Sequence, residues 1–212
     1  MMLAPRFCVA SPLRSFTRGV KTLASNKSIR VFPHPQKPQS YLLTFLNTTP
    51  PNPALAIGTT TSDPPSPNSF QENPWFLAIL NNVLAEHSPA DPGLQSQARA
   101  LASPGGFNFI QPRTGRGSGT GAGGASAEGG AGGAGVGGWV HLSDARNPPD
   151  FGRIAWPEDI LGSVEVDNKG MIIGNFQPSG TYRIVTNEGI LGLSPFLQEK
   201  LIARLREEEA KE

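Results

Sequence analysis

Between Thr114 and Gly138 the chain reads TGRGSGTGAGGASAEGGAGGAGVGG, with thirteen glycines from Gly115 onward. Nothing in such a run can repay the entropy of ordering it, so it reads as a flexible coil. The composition predicts a disordered Gly-rich linker over residues 112–138, dividing the ordered sequence into two parts. Proline adds a second constraint. Ten prolines fall between Pro33 and Pro74, which predicts an extended, punctuated segment rather than a packed one over much of the first part. A core must therefore be assembled from short elements.

Those elements carry recognisable punctuation. In the first part, residues 27–111, Ser40–Leu46 (SYLLTFL) reads as a strand bounded by prolines, and Ala54–Thr60 as a weaker one. Asn73 and Pro74 read as N-cap and first residue of a helix. Phe76, Ile79, Leu80, Val83, Leu84 and His87 share one face at helical spacing, and Pro89 stops the run. A second short helix is expected to open at Asp91–Pro92 and bury Leu94, Ala98 and Leu101. In the second part, residues 139–212, GWVHL reads as a strand. Ile160–Val166 and Met171–Gly174 are apolar runs joined by Asp167-Asn168-Lys169-Gly170, a hairpin signal. Thr181–Thr186 alternates as a further strand. Ser194–Pro195 opens a closing helix with Phe196, Leu197, Leu201, Ile202 and Leu205 as its buried stripe, and the charged tail from Arg204 reads as a solvated face. Helices and antiparallel strands segregated in this way predict an α+β fold. The expected architecture is a small antiparallel sheet with a C-terminal packing helix, preceded by a strand and helix segment. About 75 residues make only a marginal core on their own, so packing against the first part or a partner would help.

Charge is distributed unevenly. Arg6, Arg14, Arg18, Lys21, Lys27, Arg30 and Lys37 all precede the first acid, Asp63. The opening MMLAPRFCVASPLRSFTRGVKTLAS is basic, hydroxyl-containing and acid-free, with a loose apolar stripe at Leu3, Phe7, Leu13, Phe16 and Val20. That is the composition of a mitochondrial targeting peptide, here read as residues 1–26, with the matrix as destination. An arginine-directed cut near Arg18–Gly19 fits, as would one anywhere up to about Arg30. From Asp63 onward eleven basic residues face seventeen acidic ones, a balance of −6. Phosphate-backbone binding relies on cationic side chains, so a nucleic-acid partner is disfavoured. The one cysteine, Cys8, lies in the leader, which leaves no thiol for a disulfide, nucleophile or metal site after its removal. No apolar run reaches the ~18 residues that a membrane span needs.

The densest polar cluster is HLSDARNPPDFGRIAWPEDILG, with His141, Asp144, Arg146, Asp150, Arg153, Glu158 and Asp159 beside Trp139, Phe151 and Trp156. Two carboxylates near aromatic surface could act as acid and base with shifted pKa values. Alternatively Arg146 or Arg153 pairs with Asp144 or Asp150 to brace a proline-pinned loop, or the loop forms a docking surface for another protein. The candidate binding residues are Trp139, His141, Asp144, Arg146, Asp150, Arg153 and Trp156; none is assigned a catalytic role. Other signals are weak. Gly119, Gly121 and Gly124 spell GxGxxG but follow no strand, so no dinucleotide is expected. His34, His87 and His141 are too dispersed to predict a metal, and Ser143 near His141 lies in no nucleophile elbow. No cofactor is expected.

The runs GGWVHLSDARNPPDFGRIAWPEDILGSVEVD and PSGTYRIVTNEGILGLSPFLQEKLIARL, with SYLLTFLNTTPPNPALAIGT and ENPWFLAILNNVLAEH, resemble a family of uncharacterised mitochondrial proteins of filamentous (ascomycete) fungi. The resemblance covers about residues 27–210. It implies mitochondrial residence and one architecture, and it assigns no reaction, cofactor or catalytic residue. The leading expectation is a non-catalytic mitochondrial protein acting through protein–protein contacts, such as an assembly or accessory factor of a larger, unidentified complex. The alternatives are a small matrix enzyme or ligand-binding protein using the 141–159 cluster, and a peripheral mitoribosome component.

Overall fold

The computed structural model describes residues 21–102, 137–150 and 153–211. Most of the segment read as a targeting peptide (residues 1–20), residues 103–136 with most of the Gly-rich run, and Phe151 lie outside the described residues. The first part opens as an antiparallel meander of five strands: β1 (Lys21–Thr22), β2 (Arg30–Pro33), β3 (Tyr41–Thr44), β4 (Gly58–Thr60) and β5 (Phe70–Glu72), paired in chain order. The proline-punctuated segment is thus packed sheet and turn, against the unpacked segment its composition predicts, with Leu42, Leu43, Phe45, Leu55 and Ile57 buried. Prolines sit at strand ends and in the connections, where their missing N–H costs no ladder bond.

Helix α1 (Pro74–His87) follows. The Asn73 side chain does two jobs at its start. Its Oδ1 accepts from the Trp75 N–H at 3.0 Å, and its Nδ2 donates to the carbonyls of Ala54 and Ala56, each at 2.7 Å. Those carbonyls are thereby withdrawn from any ladder. For this reason the strand expected over Ala54–Thr60 forms only at Gly58–Thr60. The α1 stripe of Phe76, Ile79, Leu80, Val83 and Leu84 is buried as its spacing requires. Helix α2 (Pro92–Ala102) is capped by Asp91, whose Oδ2 accepts from the Leu94 N–H at 3.0 Å, and buries Leu94 and Ala98.

The second part builds a three-stranded antiparallel sheet from β6 (Gly138–Ser143), β7 (Ile160–Val166) and β8 (Ile172–Pro178), in that order. The β7–β8 turn uses Gly170 at φ +78°, and its Cα face lies so close to α2 that a Cβ would meet the Ala98 carbonyl oxygen at 2.8 Å. Only glycine satisfies both conditions. A two-residue hairpin, β9 (Val185–Thr186) with β10 (Gly189–Ile190), leads to helix α3 (Pro195–Glu209). In α3, Leu197, Leu201 and Leu205 are buried and Phe196 and Ile202 pack partly against the core. Arg204 pairs with Glu207 and Glu208 on its exposed side.

The fold is α+β, with antiparallel sheets and a C-terminal helix that packs inward. The two parts share one hydrophobic core. It runs from Leu23, Ile29 and Leu43 through the α1 stripe to Val140, Val164, Ile184 and Leu205. Helix α1 lies against α3 and β8, and α2 against β6. The caps interlock as well: Ser194 Oγ, which caps α3, donates to Asp91 Oδ1 at 2.6 Å. Burial of both parts against each other supplies the apolar area that the second part alone would lack. The core also takes in part of the segment that the sequence reads as a targeting peptide, residues 1–26. Leu23 is buried within it, and Asn26 Nδ2 donates to the Leu191 carbonyl at 2.9 Å.

The strand read over Thr181–Thr186 forms only at Val185–Thr186. Upstream of it the polar groups are engaged elsewhere. Thr181 Oγ1 donates to the Pro157 carbonyl (2.8 Å), the Arg183 N–H to the Glu158 carbonyl (3.2 Å), and the Ile184 N–H to Glu72 Oε1 (3.2 Å). The alternation of Tyr182 and Arg183 is real, but it separates a buried hydroxyl from solvent instead of two sheet faces.

Candidate functional site

Strand β6 carries the first two candidates. Val140 and Leu142 point into the core, which leaves Trp139, His141 and Ser143 half-buried on the opposite face. His141 stands across from Ser163 on β7, and its Nδ1 lies 2.7 Å from Ser163 Oγ. Burial holds the imidazole pKa below its ordinary value, so the ring is neutral near pH 7.

Beyond β6 the chain turns inward. Asp144 is fully buried, and both of its oxygens are occupied. Oδ1 accepts from the backbone N–H groups of Arg146 and Gly192, each at 2.8 Å, and Oδ2 accepts from the Tyr182 hydroxyl at 2.8 Å. The approach is close: a Cβ at Gly192 would sit 3.0 Å from both Asp144 Oδ1 and Arg146 N, so any larger residue must push these neighbours aside by a few tenths of an ångström. Arg146 is equally enclosed, its side chain only 3% exposed. Its Nε donates to Asp159 Oδ1 (2.7 Å), Nη1 to the Ile184 carbonyl (2.9 Å) and Nη2 to the Glu158 carbonyl (2.8 Å). The guanidinium lies 5.4 Å from the centre of the Tyr182 ring, within cation–π range. Asn147 Nδ2 completes the shell of Asp159 at 3.2 Å.

Two buried carboxylates thus share one buried guanidinium. Desolvation pushes the Asp144 pKa up, opposed by the Arg146 charge and by the donors on its oxygens. Desolvation and the neighbouring Asp144 charge push the Tyr182 phenol well above its ordinary value. Every strong donor and acceptor named here is spent on a neighbour. A general acid or base must reach substrate, and Asp144, Arg146 and Asp159 do not. The arginine of the cluster braces the loop, with Asp159 as its closest carboxylate.

The remaining candidates lie outside this network. His141, Pro148, Asp150, Arg153, Ile154 and Trp156 line a groove of about 780 Å³. Trp156 is 69% exposed and Ile154 49%. On its other side Trp156 borders a second hollow of about 650 Å³, which also takes in Glu72, Tyr182 and Arg183. Trp156 and Pro157 form the ridge between the two. The sequence cluster therefore divides into three: Asp144 and Arg146 in the buried network; His141, Asp150, Arg153 and Trp156 at the groove; and Trp139 on the outer face of β6.

Three participants escaped the sequence reading of the site. Ser163 is placed by β6–β7 register, Tyr182 by the irregular path of residues 179–184, and Gly192 by its approach to Asp144. Asp159 belonged to the polar cluster but was not separated from its neighbours as the Arg146 partner. Only the register was available in principle, from the alternation of Val140 and Leu142 against Val164 and Val166. Among the described residues no three His, Cys, Asp or Glu side chains converge as metal ligands, and no helix is long and apolar enough to cross a membrane. No family model, curated protein or solved structure matches the chain.

Proposed function

We propose that the chain is a non-catalytic mitochondrial protein that works by protein–protein contact, as an assembly or accessory factor of a larger complex. The observation that carries this reading is the ridge at Trp156. A large indole held mostly in solvent costs apolar exposure, and here it stands between two hollows with Ile154 and a run of prolines beside it. Aromatic side chains of this kind anchor protein interfaces. The Asp144 and Asp159 carboxylates and the Arg146 guanidinium are meanwhile buried in mutual pairs beneath that surface. The loop is thus braced from below and open above, as a preorganised docking surface requires. The basic, acid-free leader supports residence in the mitochondrial matrix, and the acidic balance of the rest favours a protein partner over nucleic acid.

Proximity labelling from inside mitochondria, with the labelling enzyme fused after Glu212, tests both parts of the reading. Recurrent labelling of the subunits of one matrix complex is the expected result. Labelling of cytosolic proteins, or an unstructured sampling of the whole matrix, contradicts it.

One observation favours a second reading, a small enzyme or ligand-binding protein. The neutral His141 imidazole sits 2.7 Å from the Ser163 hydroxyl beside the groove, the geometry of a base and a nucleophile. Fluorophosphonate labelling of Ser163, abolished in a His141→Ala variant, would select this reading over the first.

A further inference from the structure

We propose that the docking partner seats a cationic side chain, lysine or arginine, in the hollow between Glu72 and Glu158, against the indole of Trp156. This rests on the reading of the Trp156 ridge as a docking surface, and adds to it the chemistry of what docks.

The two sides of the ridge differ in charge. On the groove side Asp150 is matched by Arg153, and Pro148 and Ile154 make the lining partly apolar. On the other side Glu72 and Glu158 face a single cation, Arg183, among the residues that line the hollow. The neighbouring Arg146 adds no net positive charge, because Asp144 lies 3.7 Å and Asp159 2.7 Å from its guanidinium. Glu72, Glu158 and Arg183 are all exposed. Among the described residues no ion pair engages either glutamate. The hollow therefore holds one carboxylate more than Arg183 can answer.

The walls are fixed before anything enters. Glu72 Oε1 accepts from the Ile184 N–H at 3.2 Å, the Arg183 N–H donates to the Glu158 carbonyl at 3.2 Å, and Thr181 Oγ1 donates to the Pro157 carbonyl at 2.8 Å. Three stretches distant in sequence are thus tied around the hollow, which lowers the ordering cost of binding. Trp156, 69% exposed, supplies the aromatic side chain that attracts a cation most strongly. An ammonium or guanidinium meets carboxylate and indole together there, while its apolar stem packs along Pro157. An acidic side chain meets repulsion from both glutamates.

The test titrates the purified full chain with N-acetyl-arginine amide, N-acetyl-lysine amide and the neutral N-acetyl-citrulline amide, reading the Trp156 indole N–H by NMR. Trp156→Phe assigns that signal among the three tryptophans. At least one cationic probe is expected to shift it and to bind at least ~5-fold more tightly than citrulline; the stronger of the two identifies ammonium or guanidinium. The Glu72→Gln/Glu158→Gln double variant keeps an acceptor for the Ile184 N–H and should weaken that binding at least ~5-fold. Citrulline binding as tight as both cations, or a double variant that binds like the wild type, overturns the proposal. So does a Trp156 signal that moves with none of the probes. The docking reading is judged separately, by whether Trp156→Ala leaves its native assembly. Release from the assembly without any preference for cationic probes removes the cation and keeps the ridge; retention in the assembly removes both.

Discussion

The Tyr182 hydroxyl donates to Asp144 Oδ2 across 2.8 Å, tying the loop after β8 to the end of β6. The same Asp144 receives the Gly192 N–H, so a single carboxylate gathers three stretches of the second part around Arg146. Tyr182→Phe removes one of these donors and leaves Oδ2 in a buried site with only the more distant Arg146 guanidinium. The expected loss of stability is about 1–3 kcal/mol by denaturant unfolding, with the fold retained. An unchanged midpoint would show that the hydroxyl bond contributes nothing net.

Arg146→Ala should be more damaging. It strands Asp144 and Asp159 together in the interior and removes the donors to the Ile184 and Glu158 carbonyls. Breaking a buried ion pair from one side costs about 3–5 kcal/mol. Arg153→Ala is the control, since Arg153 is exposed at the groove rim; its effect should stay within about 0.5 kcal/mol. Equal effects of the two substitutions would dismiss the buried network as the brace of the loop.

His141 predicts a pH dependence of stability with a definite sign. Burial lowers its folded pKa, so the unfolded chain takes up a proton at higher pH than the folded one does. Its contribution is complete above the ordinary imidazole value of ~6.5 and is lost as pH falls through that value towards the lowered folded pKa. Denaturant midpoints taken from pH 7.5 downward should therefore fall more steeply for the wild type than for His141→Asn. A steeper fall in the variant would reverse the assignment.

The interlocked caps predict coupling between the two parts. Ser194 Oγ caps α3 and donates to Asp91, which in turn caps α2. Ser194→Ala and Asp91→Ala should each cost about 1 kcal/mol or more. Because they share one bond, the double variant should cost less than the sum of the two. Strict additivity in that cycle would mean the caps act independently.

These couplings mark where the sequence was legible. Helices α1, α2 and α3 announced themselves through Asn73-Pro74, Asp91-Pro92 and Ser194-Pro195, because capping is local chemistry. The β7–β8 hairpin was readable for the same reason, from Asp167 to Gly170. Strands β2 and β5 were not, since each is three or four residues long and exists only through neighbours contributed from elsewhere in the meander. Tyr182 was misplaced because local alternation cannot register an acceptor 38 residues away in the loop after β6. The site followed the same division. Charge density located the 141–159 cluster, but only tertiary structure separates the buried Asp144 and Arg146 from the exposed Trp156.

The central claim is that the Trp156 ridge is a docking surface. It is tested most directly by the native size of the tagged protein in gently lysed mitochondria, measured for the wild type and for Trp156→Ala. The substitution lies at an exposed position and should leave the melting temperature of the purified protein within about 2 °C. The account predicts that the wild type migrates in an assembly well above the 22.4 kDa of the full chain and that the variant shifts to the free chain. Wild-type protein found only as a monomer, or a variant that stays in the assembly, would contradict it.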